Sequence, residues 1–210
     1  MELQECPGWE YNTNPQHRAI LPVQVFHVLV ELRSGRTDTL TFATDTRAGH
    51  QKLFADLVPS GFRYYAGHYR GEPFPCLLAY RVRVPGDPRV GAPPSDVQRL
   101  MHDIGQEIRD AIAELDSKSS TLSAKDRLQQ IVALSCAAFV AFLTIHPYAN
   151  GNGHAGRLIV WSLLGRYGHW PAAWSVDPKP PDPPYSDLIK RSRDGDVVPL
   201  QKYMLQMIRL

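Results

Sequence analysis

Little in this sequence commits it to a membrane, a metal or a nucleic acid. Its three cysteines, Cys6, Cys76 and Cys136, show no metal-ligand spacing and cannot all pair. No zinc module is indicated. Cys136 sits in an apolar run and reads as a buried, inert thiol. A reducing cytoplasm is therefore the expected compartment. The segment Met1-Glu2-Leu3-Gln4-Glu5 lacks a basic start followed by an apolar stretch, so no signal peptide is expected. The longest apolar run, Ile131 to Ile145, is too short to span a bilayer and is interrupted by Ser135. No sign of charge dominates either: Lys+Arg number 23 and Asp+Glu 21, a formal net charge of +2. That balance gives no broad basic field for nucleic acid. Internal repeats are also lacking. At 210 residues, the chain has the length of one soluble domain with a real core.

What is present divides into a strand-like beginning and a helical remainder. Within residues 21–45, the run Val23 to Leu32 is rich in β-branched residues. Ser34-Gly35 and then Asp38-Thr39-Leu40-Thr41-Phe42 follow, a strand, turn, strand pattern. A second strand-like pair is expected at 74–84, with Leu77, Tyr80, Val82 and Val84 ending at Pro85-Gly86-Asp87-Pro88. Val97, Leu100, Met101, Ile104, Ile108, Ile112 and Leu115 then recur at helical spacing, with Ser95 or Asp96 as candidate cap. Leu128 to Ile145 is apolar almost all round, which predicts a central helix buried on every side. Another helix is expected from about His154 to Tyr167. A stiff connector, Pro178 to Pro184, leads to two short helices at the end.

The chemistry concentrates where the central helix stops. His146-Pro147-Tyr148-Ala149-Asn150-Gly151-Asn152-Gly153-His154-Ala155-Gly156-Arg157 joins a candidate base, a Gly/Asn-rich loop and two basic side chains at the start of a helix. Unpaired N–H groups and the helix dipole both favour an anion at such a place. His154 and Arg157, three residues apart, share a helix face. Gly151 to Gly156 also spells the G-x-G-x-x-G of dinucleotide sites. That fingerprint needs a preceding strand and an acid about twenty residues on. The preceding run is of helix length, and the acid near that distance, Asp177, lies among prolines. A polyphosphate site with a general base is the better reading. His146 suits the base role through an ordinary pKa near 6.5. His68 and His102 are read as surface or packing residues, and Trp161, Trp170 and Trp174 as packing.

These residues resemble the signature of Fic-domain proteins, His-x-Phe-x-(Asp/Glu)-Gly-Asn-Gly-Arg-x-x-Arg. His146, Gly151, Asn152, Gly153 and Arg157 match, and Tyr148 is a near match for the aromatic. Asn150 stands in place of the carboxylate and His154 in place of the first arginine. Weaker echoes at His50 to Phe54, Ala66 to Arg70, Pro93-Pro94, Tyr185, Gly195-Asp196 and Pro199-Leu200 extend the resemblance over residues 46–210. It implies a mainly α, Fic-type helical bundle with a β-hairpin flap at 69–92. Residues 1–45 would form an N-terminal extension with a β-hairpin.

The resemblance further implies nucleotidyl transfer, AMP from ATP first, onto a Ser, Thr or Tyr hydroxyl of a protein substrate. His146 would be the catalytic base. Gly151, Asn152, Gly153, His154 and Arg157 would bind the nucleotide phosphates. Mg²⁺ would bridge those phosphates, with Asn150 at the metal position and ATP or another NTP as co-substrate. Asn150 offers a metal only a neutral oxygen. A non-catalytic nucleotide- or protein-binding module is the alternative, as is a toxin-type transferase held off by a separate inhibitory partner. No glutamate is followed by Gly or Asn, so the family's self-inhibiting helix is not visible. The loop does not resemble the Ala-Asn-Lys of the family's phosphotransfer branch.

Overall fold

The computed structural model describes residues 6–11, 14–84, 86–118 and 120–209, with the side chain of Arg209 excepted. Met1 to Glu5, read above for its lack of a leader, and Pro85 lie outside them. Eight α-helices and a 3-10 turn at Arg63–Tyr65 carry the regular structure among the described residues: α1 (Pro15–Arg33), α2 (Thr39–Thr44), α3 (Arg47–Phe54), α4 (Pro94–Ser117), α5 (Ala124–Ile145), α6 (Asn152–Arg166), α7 (Tyr185–Arg193) and α8 (Val198–Arg209). The fold is mainly helical, as expected.

Neither β-hairpin is present among the described residues. The region 21–45 is α1 and α2, and the start of α1 explains why. Asn14 caps it by accepting from the Gln16 N–H, and Pro15 occupies the first helical position, where a missing N–H costs nothing. Leu21, Val25, Val28 and Leu32 are the residues this helix buries. Their spacing of four, three and four is helical, and one buried stripe outweighs the β preference of Val and Ile side chains. Asp38 caps α2 through the Thr41 N–H.

Residues 69–92 contain turns and extended chain but no strand among those described. Two causes are visible. Pro73, Pro75 and Pro88 have no N–H for a ladder. The buried guanidinium of Arg70 also takes up carbonyls that a ladder would use, those of Tyr80 and Ala92.

The helical expectations fare better. Helix α4 buries Val97, Met101, Ile104, Ile108, Ile112 and Leu115, six of the seven residues named from periodicity. Its N-cap is Pro93, with no side-chain cap, so neither Ser95 nor Asp96 fills that role. Helix α5 begins earlier than expected because Ser123 caps it through the Asp126 N–H. At 22 residues α5 is long and apolar enough to cross a membrane, yet 56% of its most apolar window is buried inside the fold. It packs against α4, α6 and α8, which makes it the core helix. Its C-terminal end delivers His146, and α6 begins six residues further on.

The cysteines add a link that the sequence alone leaves open. Cys6 and Cys76 form a disulfide with Cα atoms 5.6 Å apart. Cys136 is buried and free, as read from its surroundings. The disulfide joins the chain start to the 69–92 region.

Candidate active site

Helix α5 ends because His146 adopts the left-handed conformation, with φ 55° and ψ 62°. Such a conformation is uncommon outside glycine and needs support. Arg70 supplies it. This residue is wholly buried, and its guanidinium donates to the carbonyls of His146 at 2.8 Å and Ile145 at 2.9 Å. The same guanidinium reaches Tyr80 and Ala92, so one side chain joins the histidine turn to both ends of the following loop region. Burial pulls the Arg70 pKa down to about 10, so it remains charged at neutral pH. The imidazole of His146 is itself held down to a pKa of about 4, chiefly by burial and then by the Arg70 and Arg193 charges. At pH 7 it is neutral. With Nδ1 3.4 Å from the Leu143 carbonyl, the Nδ1–H tautomer leaves the Nε2 lone pair as the basic position.

The loop from Tyr148 to Gly153 is clipped from both sides. Asn152 accepts from the Tyr148 N–H and donates to the Tyr148 carbonyl, both at 2.9 Å. Its side chain therefore shapes the turn and does not face a ligand. His50, on α3, holds the next carbonyl. Its Nδ1 accepts from the Gly67 N–H at 3.0 Å, so its Nε2–H donates to the Asn150 carbonyl at 2.9 Å. The His50 ring stacks on Tyr148 at 3.6 Å. Burial drives its pKa to about 3, which fits a permanently neutral structural residue. The Tyr148 hydroxyl finds Thr46 Oγ1 at 2.7 Å, so tyrosine is accommodated where the signature has phenylalanine. Gly151 has φ 77°, and a Cβ there would stand 2.4 Å from the Phe54 ring. Only glycine fits.

Past Gly151 the chain enters α6, and its first N–H groups lack partners. The N–H groups of Asn152, Gly153 and His154 make no backbone hydrogen bond among the described residues, while that of Gly151 is taken by Asn150 Oδ1. Three free N–H groups at the N-terminus of a 15-residue helix form an anion cradle. Arg157 lies one turn on. It is 5% exposed and braced by Nε donation to the Val176 carbonyl at 2.8 Å. It is not a solvated surface charge.

All seven expected site residues, His146, Asn150, Gly151, Asn152, Gly153, His154 and Arg157, line one cavity of about 410 Å³. Tyr11, His17, Arg18, Leu21, Asp177, Pro178 and Lys179 complete its wall. The sequence reading missed this second set. The sequence marks Asp177 only as a misplaced fingerprint acid, yet its Oδ1 lies 3.2 Å from His154 Nε2. The other ring nitrogen of His154 lies 3.2 Å from the Tyr11 hydroxyl. His154 thus has both nitrogens engaged, and burial lowers its pKa. It does not replace the cation that an arginine would bring. His17 Nδ1 is buried without a hydrogen-bond partner, although nothing in the sequence separates His17 from an ordinary helix residue. His68 bonds Glu72. Trp161 and Trp174 pack, with the Trp161 N–H donating to the Trp174 carbonyl.

The model of the Fic/DOC family matches residues 40–164. The chain belongs to the Fic/DOC family. Proteins with Fic domains are in general transferases that act on protein substrates. Among solved structures, the chain is similar to the BepC protein of Bartonella tribocorum, a VirB-translocated effector whose crystal structure holds AMPPNP. The identity is 17% and the TM-score 0.58, with 89% of this chain and 85% of that one covered. At that identity the likeness shows the fold. No curated protein matches the sequence.

The donor set is suited to phosphate and poorly suited to a protein-held Mg²⁺. Asn150 Nδ2 donates to the Trp9 carbonyl at 2.5 Å, and its Oδ1 accepts from the Gly151 N–H at 2.7 Å. Its amide is turned into the protein. Asp177, the one carboxylate among the described residues lining the cavity, is engaged by His154. No group of three His, Cys, Asp or Glu residues able to hold a metal ion occurs among the described residues. Mg²⁺ prefers hard anionic oxygen in octahedral array, and these residues do not offer it.

Proposed function

We propose that this Fic/DOC-family protein is a nucleotidyltransferase that moves a nucleoside monophosphate, AMP from ATP first, onto a Ser, Thr or Tyr hydroxyl of another protein. The observation that carries the reading is a neutral, left-handed His146 sharing one cavity with three unpaired N–H groups and a buried Arg157. His146 Nε2 removes the proton of the target hydroxyl as that oxygen bonds the α-phosphorus. The bond from the α-phosphorus to the bridging oxygen breaks, and pyrophosphate leaves with the electron pair. The N–H groups of Asn152, Gly153 and His154 meet the charge that develops, and Arg157 holds the outer phosphates. Positioning and charge stabilisation dominate such transfers.

The extended edge Arg81–Val84 is the proposed docking strip for the target. Arg81 and Arg83 are exposed while Val82 and Val84 are half-buried. None of their N–H groups makes a backbone hydrogen bond among the described residues. An added peptide strand fits such an edge. A toxin-type transferase held off by a separate inhibitory partner chain is an alternative within this reading. A non-catalytic nucleotide-binding module is the second reading, favoured by the engagement of His154 with Tyr11 and Asp177.

Labelled-nucleotide transfer into a lysate tests the choice, with ATP, UTP, GTP and CTP side by side. His146→Ala is expected to lower transfer by about 10²–10⁴, the usual contribution of a positioned base, with nucleotide affinity retained. Equal transfer by both proteins removes His146 from the mechanism. Binding without transfer under every nucleotide favours the second reading.

A further inference from the structure

Both departures from the family signature touch the same piece of chain. Asn150 donates to the carbonyl of Trp9, and His154 meets the hydroxyl of Tyr11. The segment Cys6–Tyr11 that carries them is a strap fastened along its length. The Cys6–Cys76 disulfide holds one end, and the Pro7 carbonyl accepts from the Tyr65 hydroxyl at 3.3 Å. Trp9 is 3% exposed, donates to the Leu57 carbonyl at 2.8 Å and packs edge-on against His50 and Phe54. Tyr11 then lines the cavity beside the anion cradle.

The latch requires an amide. A carboxylate at 150 has no hydrogen to give and would face the Trp9 carbonyl at about the same distance, two acceptors in repulsion. With asparagine, the side chain that the signature assigns to a metal is spent on the strap. Phosphate charge in this cavity must then be met by other means. Arg157, Lys179 and the N–H groups of Asn152, Gly153 and His154 surround it, with the unpartnered Nδ1 of His17 as a further polar contact.

We propose that Asn150 is a positioning residue that latches the N-terminal strap as a wall of the nucleotide cavity, and that the site binds nucleotide phosphates without a divalent metal. The inference rests on the nucleotide site of the proposed function. It replaces metal coordination at 150 with side-chain cations and backbone N–H groups.

Calorimetric titration with AMPPNP, in Mg²⁺ and in EDTA, tests it on the wild-type protein and on Asn150→Asp. Wild-type affinity is expected to agree between the two buffers within about threefold. Asn150→Asp is expected to bind about tenfold more weakly in both, with faster amide hydrogen exchange in residues 6–11, because one buried hydrogen bond is exchanged for a repulsion. Wild-type binding that appears only with Mg²⁺, or tighter Mg²⁺-dependent binding by Asn150→Asp, overturns the inference while leaving the nucleotide site standing. An absence of wild-type binding in both buffers overturns the nucleotide site, and the inference with it. The wild-type comparison decides the metal question even if the variant does not fold.

Discussion

Mild acid should unfold this protein through its histidines, well before its carboxylates are involved. His50 and His146 are neutral in the fold, with pKa values of about 3 and about 4, against an ordinary value near 6.5. Each folded pKa is lowered, so the unfolded chain binds protons that the folded one refuses. The stability they contribute is full above pH 6.5 and is lost as pH falls from there towards 4. By pH 5 each costs about 2 kcal/mol, and their joint slope is about 2.7 kcal/mol per pH unit, two protons' worth. Burial lowers the His154 pKa as well, and it adds in the same direction. The carboxylates Asp45, Asp177 and Asp182 are shifted down by their partners, chiefly Arg47, His154 and Lys179. They stay charged through this window and lose their contribution only below it. Against a typical total of about 5–15 kcal/mol, a loss of about 4 kcal/mol by pH 5 is severe.

Denaturant unfolding at pH 7, 6 and 5 measures the slope directly. His146→Gln should reduce it by about one proton and His50→Gln by about another, since glutamine can keep the donor and acceptor of His50 without titrating. A stability that stays flat from pH 7 to pH 5 would falsify the neutral-histidine account. An unchanged slope in both variants would do the same. The consequence for catalysis is specific. His146 remains a competent base down to about pH 4, so loss of transfer below pH 6 should follow unfolding and not a titration near 6.5.

Other perturbations have readouts of their own. Arg157→Ala should weaken AMPPNP binding. Gly153→Val should abolish it, because a Cβ at 153 meets Arg157 Nη1 at 3.0 Å and a branched side chain covers the cradle; unchanged calorimetric affinity in both would leave the loop a structural turn. Replacing Cys6 and Cys76 by serine should cost about 4 kcal/mol in denaturant unfolding, the loop-closure value for a separation of 70 residues. A cost below about 1 kcal/mol would mean that the strap is fully held by Trp9 and Asn150.

The helices were legible wherever one buried stripe governed the pattern. Val97 to Leu115 names α4 by periodicity alone, and Leu128 to Ile145 names the core helix by its apolar surround. Residues 21–45 read as strand, turn, strand because Val23, Val25, Val28 and Val30 make the first run rich in β-branched residues. Only the burial of Leu21, Val25, Val28 and Leu32 in one stripe makes the run a helix, and burial is a tertiary fact. The missed hairpin at 69–92 has a similar cause. No propensity reveals that Arg70 will gather the carbonyls of Tyr80, Ala92, Ile145 and His146. The Cys6–Cys76 pair could not be inferred from three cysteines without a fold to bring two of them together. That disulfide is also the feature that bears on compartment, since such bonds persist in oxidising surroundings.

The motif itself was legible, but the meaning of its two departures was not. Taken singly, Asn150 removes a charge and His154 removes a guanidinium, and each reads as damage. The structure gives both a partner in the strap, Trp9 for one and Tyr11 for the other. Restoring the signature would then be harmful: arginine at 154 forfeits the acceptor facing the Tyr11 hydroxyl, and aspartate at 150 forfeits the donor facing Trp9. If the two positions act through one strap, Asn150→Asp and His154→Arg together should destabilise the protein by less than the sum of the single changes. The second substitution finds the strap already released. Strict additivity of the two effects in denaturant unfolding would show that the departures are independent, and that the strap does not unite them.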